Sequence, residues 1–305
     1  MQSSTIRSLS VCLPATPSAG SARRPAGRAP LRAAWRQAGL SLALAAALAV
    51  PLALSAGPAQ AAPAAPASYE PEVGQPGKDV IWVPTPDVLV EKMLDMAKVS
   101  PQDRLMDLGS GDGRTVIAAA RRGLTARGIE YNPDMVELAR RQAEQAKLGE
   151  RASFEQADLF QTDLSQADVI TMYLLPTINE KLAPKLLALE PGTRIVSHAF
   201  GIADWEPDQT EKVNDSCPGY CTAFLWIVPA KADGHWQLDG QPLVLQQRYQ
   251  LLEGTLAGKP ISKGRLDGRL ISFEADGVAY TGTVQGSRIE GTVPSQNSRA
   301  WTAQR

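Results

Sequence analysis

The sequence predicts a doubly wound α/β sheet followed by a small antiparallel β domain. Three observations point there. A glycine-rich segment, Asp107-Leu108-Gly109-Ser110-Gly111-Asp112-Gly113, sits between an apolar strand pattern and a helical one. Strand and helix patterns then alternate across residues 80–230, the arrangement that builds a parallel sheet with helices on both faces. From Gly234 to Arg305 helical periodicity stops, and short apolar pieces separated by glycine take over.

Each element has its own signal. Residues 80–83 (Val-Ile-Trp-Val) read as a first strand, and Thr85 before Pro86 reads as the N-cap of a helix. Leu89, Val90, Met93, Leu94 and Ala97 recur at helical spacing and give that helix one apolar face. Residues 104–108 form the strand that enters the glycine segment, and residues 115–122 form a helix ended by Gly123. Residues 126–130 are a strand, and Asn132-Pro133 starts the helix 135–147. A strand at 152–156 leads to Asp158, and 168–175 is a continuous apolar run typical of a strand buried on both faces. A helix broken around Pro184 and strands at 194–198 and 222–228 complete the set. Beyond Gly234, strand-like pieces at 252–256, 270–273, 280–284 and 289–293 suggest a meander, either an open sheet or a barrel.

The first sixty residues differ in composition from the rest. They carry Arg23, Arg24, Arg28, Arg32 and Arg36 and no acid, then an apolar stretch over 38–54, then Ala59-Gln60-Ala61. That order describes a secretory signal peptide over 1–61, with an uncleaved inner-membrane anchor as the alternative. Cleavage would leave no membrane insertion and a periplasmic chain. An Ala/Pro-rich linker over 62–78 precedes a domain at 79–233 and the β domain at 234–305. Cys12 lies in the leader, so a processed chain keeps only Cys217 and Cys221, a close pair that reads as a disulfide in an oxidising compartment. The net charge of -1 gives no nucleic-acid footprint, and two histidines, His198 and His235, make a histidine-rich metal site unexpected.

The chemistry lies in the glycine segment. A dinucleotide site uses G-x-G-x-x-G/A and needs a small third residue, where this chain has Arg114; no Lys-Ser/Thr follows to make a P-loop. The pattern Asp-x-Gly-x-Gly-x-Gly, with an acid closing the strand, resembles the first motif of class I S-adenosylmethionine (SAM) methyltransferases over about residues 80–230. That resemblance implies a Rossmann-like sheet, SAM as cofactor, and a pocket that attracts a cationic ligand to carboxylates. It places Asp107 near the amino-acid end of SAM and lets Gly109, Ser110, Gly111 and Gly113 bring the backbone against it. Glu130, about twenty residues on, would accept the ribose hydroxyls, and Asp158 would accept the adenine amino group.

Two further segments, Trp82-Val83-Pro84-Thr85-Pro86 and the DLGSGDGR of Asp107 to Arg114, resemble a bacterial and mitochondrial group whose characterised mitochondrial members methylate lysines in membrane-embedded proteins. The resemblance implicates Pro84 and Thr85 in closing the cofactor pocket. It makes a protein lysine the first acceptor and a small molecule the second. Where many amine-methylating relatives carry a polar residue and Pro-Pro-aromatic, this chain has Met172-Tyr173-Leu174-Leu175-Pro176, which argues against a nucleic-acid base and offers Tyr173 as the group facing the acceptor. His198 is expected to border the pocket or to be structural. The competing reading is a non-catalytic exported protein that holds SAM or a nucleotide and uses the β domain for recognition.

Overall fold

The computed structural model describes residues 69–213, 217, 219–295 and 297–305; the leader, and with it the expected signal peptide, lies outside them, as do residues 62–68 of the linker. Residues 69–85 form a strap rather than a strand. The Gly74 amide bonds the Trp82 carbonyl at 2.8 Å, the Trp82 amide bonds the Gln75 carbonyl at 2.9 Å, and the Gly77 amide closes the turn on Val80. Ile81 and Val83, half of the expected strand, are exposed, so no sheet edge covers them and only an isolated bridge from Pro76 to Ile81 forms.

Helix α1 (Asp87–Met96) buries Leu89, Val90, Met93 and Leu94 as its periodicity requires. Its N-cap is Pro86 and not Thr85, because the Thr85 hydroxyl is committed to His198 Nδ1 at 3.0 Å. There follow β1 (Arg104–Leu108), α2 (Arg114–Arg121), β2 (Thr125–Glu130) and α3 (Pro133–Gln145), whose Asn132 cap accepts from the Asp134 amide at 2.9 Å. Then come β3 (Ala152–Gln156), β4 (Val169–Met172) and α4 (Pro176–Leu186). Helix α4 passes through Pro184 without breaking there. Proline's missing N–H would have bonded one turn back, and this residue lies close enough to the C-terminus for the helix to end at Leu186.

Strands β5 (Arg194–His198), β6 (Gln209–Lys212) and β7 (Thr222–Ile227) finish a seven-stranded sheet in the order β3-β2-β1-β4-β5-β7-β6. The first five strands are parallel and β7 pairs antiparallel to β5. The carboxyl ends of β1 to β5 therefore share one edge, the place where open α/β sheets bind ligands. The short, polar β6 carries no apolar alternation and was not foreseen.

The C-terminal segment is a closed barrel. Its strands are β8 (Gly234–Leu238), β9 (Gln241–Arg248), β10 (Leu251–Leu256), β11 (Lys259–Asp267), β12 (Leu270–Ala275), β13 (Val278–Gln285), β14 (Arg288–Val293) and β15 (Arg299–Gln304). All neighbours are antiparallel, and β15 pairing with β8 closes the ring, leaving no sheet edge to aggregate. Trp236, Leu245, Phe273, Ile289 and Trp301 fill its centre.

The barrel joins the sheet at the end opposite the carboxyl edge of β5. Gly268 lies against Gly192, just before β5, and accepts from the Ala230 amide, just after β7, at 2.8 Å. Trp205 stacks on Tyr249 (5.7 Å, 11°) and donates to Gln250 Oε1 at 2.8 Å, while Gln250 Nε2 donates to the Glu206 carbonyl. The junction itself is buried at Ala230 and Ala232. The described residues cluster as one compact unit, with two core clusters about the sheet and one inside the barrel. Among the described residues no helix is long and apolar enough to cross a membrane.

Candidate active site

A cavity of about 360 Å³ opens along the shared carboxyl edge. Its lining follows the sheet order. Asp158 lies beyond β3, Glu130 ends β2, and Asp107 with the glycine turn ends β1. Tyr173 follows β4, Phe200 follows β5, and Tyr220 precedes β7. The topology thus confines these acids to the side over β1 to β3, which Tyr131 and Phe160 also line, while Tyr173, Phe200 and Tyr220 make the side over β4, β5 and β7 aromatic. Among the described residues none from the barrel lines this cavity, which leaves a recognition role for that module without a structural connection to it.

The turn after β1 is built from three left-handed glycines, Gly109, Gly111 and Gly113 (φ 73, 52 and 83°). A Cβ on Gly111 would stand 2.6 Å from the Trp82 indole nitrogen, so glycine is required both by φ and by the strap above it. The Gly109 and Ser110 amides both bond the Ile129 carbonyl, at 2.8 and 3.1 Å, which ties the turn to β2. Ser110 lines the cavity, but its Oγ is buried without a partner and turned toward Gly128 of β2. Gly113 does not line the cavity. A Cβ there would meet Phe154 and Ala139 within 2.8 Å, so its role is to let α2 pack closely.

The acids differ in their surroundings. Asp107 is almost fully buried, accepts from the Thr171 hydroxyl at 2.6 Å, and has Glu130 and Asp112 as like-charged neighbours. Burial first, then those charges, push its pKa up to about 7. Glu130 accepts from the amides of Gly111 and Asn132, both at 2.9 Å, which fixes the carboxylate at the mouth of the glycine turn. Asp158 is bound by Lys78 at 2.8 Å, and that ion pair holds its carboxyl below the usual range. Lys78 also sits 4.4 Å over the Tyr131 ring. Arg114, the residue that excluded a dinucleotide turn, clamps Asp112 and donates to the Thr85 carbonyl at 3.1 Å, locking the strap to the glycine turn.

The sequence reading therefore placed nine of its ten site residues along this cavity, Pro84 and Thr85 included, with Gly113 the exception. It missed Trp82, Lys78 and Tyr131, which the strap and the β2 turn deliver; the only signal for them was an aromatic next to the Pro84-Thr85-Pro86 start. It also missed the aromatic cluster. Tyr173 stacks on His198 at 3.7 Å and on Phe200 at 6.1 Å, and Phe200 meets Tyr220 at 6.2 Å. His198 lies behind Tyr173, outside the lining, with Nδ1 on Thr85 and Nε2 on the Tyr220 carbonyl. Burial lowers its pKa, so it is neutral and structural. Burial raises the Tyr173 phenol, which stays protonated.

The arrangement suits SAM. Carboxylates welcome an ammonium and a sulfonium and would repel a pyrophosphate, and the glycine turn forms a cradle for a ligand backbone. A family model, the ANTKMT methyltransferase domain, matches residues 107–209. A protein-lysine N-methyltransferase of Saccharolobus islandicus is 42% identical over 152 residues, which cover 49% of this chain and 94% of that protein. An adenine nucleotide translocase lysine N-methyltransferase of Mus musculus is 38% identical over 120 residues, 39% of this chain and 52% of that one, so the chain spans about half of the mouse protein. A crystal structure of an RNA methyltransferase from Salinibacter ruber with S-adenosylhomocysteine is 46% identical, covers 49% of this chain and 95% of that one, and superposes with a TM-score of 0.46. On this sequence relationship, with the motif and the cavity that carries it, the chain belongs to the class I SAM-dependent methyltransferases, in their protein-lysine methyltransferase-like group.

Proposed function

We propose that this enzyme methylates a neutral amine, foremost the side chain of a protein lysine, beyond the inner membrane. The observation that carries the reading is the division of the cavity, with acids over β3, β2 and β1 and aromatics over β4, β5 and β7. Asp107, Glu130 and Asp158, with the turn at Gly109, Ser110 and Gly111, would hold SAM, and Pro84 and Thr85 belong to the strap above it. When bound, SAM supplies an electrophilic methyl group on a sulfonium.

The remaining work falls to the aromatic half. Tyr173, Phe200 and Tyr220 take an acceptor out of water, and an apolar setting lowers the pKa of an amine, favouring its neutral, nucleophilic form. The protonated Tyr173 leaves an oxygen lone pair to accept an acceptor N–H and so aim the nitrogen. Rate enhancement then rests on alignment, with no strong base required.

The relatives named for protein lysines support that acceptor. Export is supported by the leader's charge pattern and by the Cys217–Cys221 disulfide, whose Cα atoms lie 6.0 Å apart. A permanently charged cofactor does not cross a bilayer unaided, so it must be loaded before export or supplied outside.

Labelled SAM incubated with the purified chain and envelope proteins should place label on lysine, as mapped by peptide mass spectrometry, and Glu130→Ala should sharply reduce it at subsaturating SAM. Label on nucleic acid and not on protein would overturn the acceptor. Bound SAM with no transfer to any fraction would favour a binding protein.

A further inference from the structure

The loop before β7 carries the outermost of the three rings that line the aromatic side of the cavity. Tyr220 is 73% exposed, yet its ring lines the cavity mouth beside Phe200. Phe200 is itself placed by backbone strain. The Phe200 amide bonds the His198 carbonyl two residues back at 2.8 Å, with Ala199 at φ 64°, a positive-φ γ-turn that is rare for a residue with a side chain. Such strain persists only where surrounding bonds over-determine it. Here Ser197 Oγ donates to the Phe200 carbonyl at 2.7 Å, Asn179 Nδ2 to the Gly201 carbonyl at 3.0 Å, and the Ala199 amide to the Thr222 carbonyl at 2.8 Å.

The rings of Tyr173, Phe200 and Tyr220 run in steps of 6.1 and 6.2 Å from the inner cavity to solvent. No carboxylate belongs to this aromatic series. The residue carrying its outermost ring is anchored at its carbonyl, to which His198 Nε2 donates, and through Cys221, the next residue, which is buried and disulfide-bonded to Cys217. The Cys221 carbonyl is in turn fixed by the Val213 amide at 2.9 Å.

We propose that Tyr220 is a specificity-determining residue for the acceptor: with Phe200 it walls the outer channel along which the alkyl stem of an amine acceptor lies, and the Cys217–Cys221 disulfide holds it there. The inference rests on the methyl-transfer reading above and adds the acceptor's path to it. A four-carbon stem offers the apolar contact such a wall rewards, and any cationic form at the solvent end is attracted to the ring faces. The disulfide makes acceptor binding depend on the redox state of the compartment, while the cofactor half, on the other strands, does not.

The test is a binding measurement, independent of turnover. The probe is an aza-analogue of S-adenosylhomocysteine whose nitrogen, in place of sulfur, carries a 4-aminobutyl arm; its control lacks the arm. In the wild type the arm should raise affinity. Tyr220→Ala should reduce that gain roughly three- to tenfold, the range for one aromatic contact, and Tyr220→Phe should retain it. Dithiothreitol, which becomes a cyclic disulfide as the protein's cystine becomes two thiols, should diminish the gain to the same extent in the wild type and leave Tyr220→Ala unchanged. S-adenosylhomocysteine itself should bind all variants alike, since Tyr220 is exposed and its loss spares the core. An equal arm gain in wild type and Tyr220→Ala, or a gain untouched by reduction, overturns the proposal. Failure of S-adenosylhomocysteine to bind the wild type at all would instead overturn the cofactor reading beneath it.

Discussion

Asp107→Asn separates cofactor binding from stability, because the carboxyl is disfavoured by the fold that needs it. Its folded pKa stands at about 7 against 3.8 for the free side chain. Between those values the native chain keeps a proton that the unfolded chain has released, so wild-type stability falls as pH rises through that window and levels off above about 7. At about 1.4 kcal/mol per pKa unit the difference amounts to something on the order of 4 kcal/mol at pH 8. Asparagine keeps an acceptor for the Thr171 hydroxyl, now 2.6 Å from the carboxylate, and removes the charge beside Glu130 and Asp112. The ligand-free variant should therefore match the wild type near pH 4 and melt roughly 10 °C higher at pH 8, since each kcal/mol moves a chain of this size by about 2–4 °C. SAM affinity should move the other way. The wild type should bind SAM more tightly as pH rises through 7, because the ligand's cation selects the ionised carboxylate. The variant should bind weakly at every pH. Melting curves and calorimetry from pH 4 to 8.5 read both quantities. A variant less stable than the wild type at pH 8, with no pH dependence in its melting offset, would refute the claim that Asp107 is a desolvated acid.

Gly111→Val should weaken SAM binding tenfold or more by calorimetry, because a branched residue at φ 52° must also displace the Trp82 indole. Glu130→Ala should lower SAM affinity about ten- to hundredfold, the equivalent of hydrogen bonds to a charged group; unchanged binding by both variants would move the pocket elsewhere. Trp205→Ala should lower the melting temperature of sheet and barrel together, since Trp205 joins Tyr249 and Gln250 to the sheet's core. Limited proteolysis should spare Lys231 to Gly234, whose backbone is held by Gln247 and Arg305; release of a folded barrel fragment would show instead two independently stable domains. In fractionated cells, thiol labelling of an exported chain that begins near Ala62 should find Cys217 and Cys221 only after reduction. Two free thiols in an unprocessed cytosolic chain would sink the export reading.

Much of the sheet was legible because its signals are local. A glycine needed at positive φ, an acid closing a strand, an Asn-Pro helix start and an apolar run buried on both faces are each written within a few residues. So the glycine turn, Asp107, Glu130 and Asp158 could be read from residue order alone. The local signals also misled where a distant partner competed. Thr85 has the chemistry of an N-cap, but His198 takes its hydroxyl, and residues 80–83 have strand propensity but no edge to pair with. Closure of the barrel was undecidable for the same reason, since it depends on β15 finding β8 across the whole segment. Only the tertiary structure could gather Lys78, Trp82, Phe200 and Tyr220 at one cavity, because strand order, and not sequence order, sets which ends of the chain meet. What the sequence determined is the acidic, glycine-turn half of the cavity, coded by backbone conformation and charge at fixed spacing. The aromatic half was decided by packing, which places side chains from separate loops within reach of each other and leaves no spacing to read.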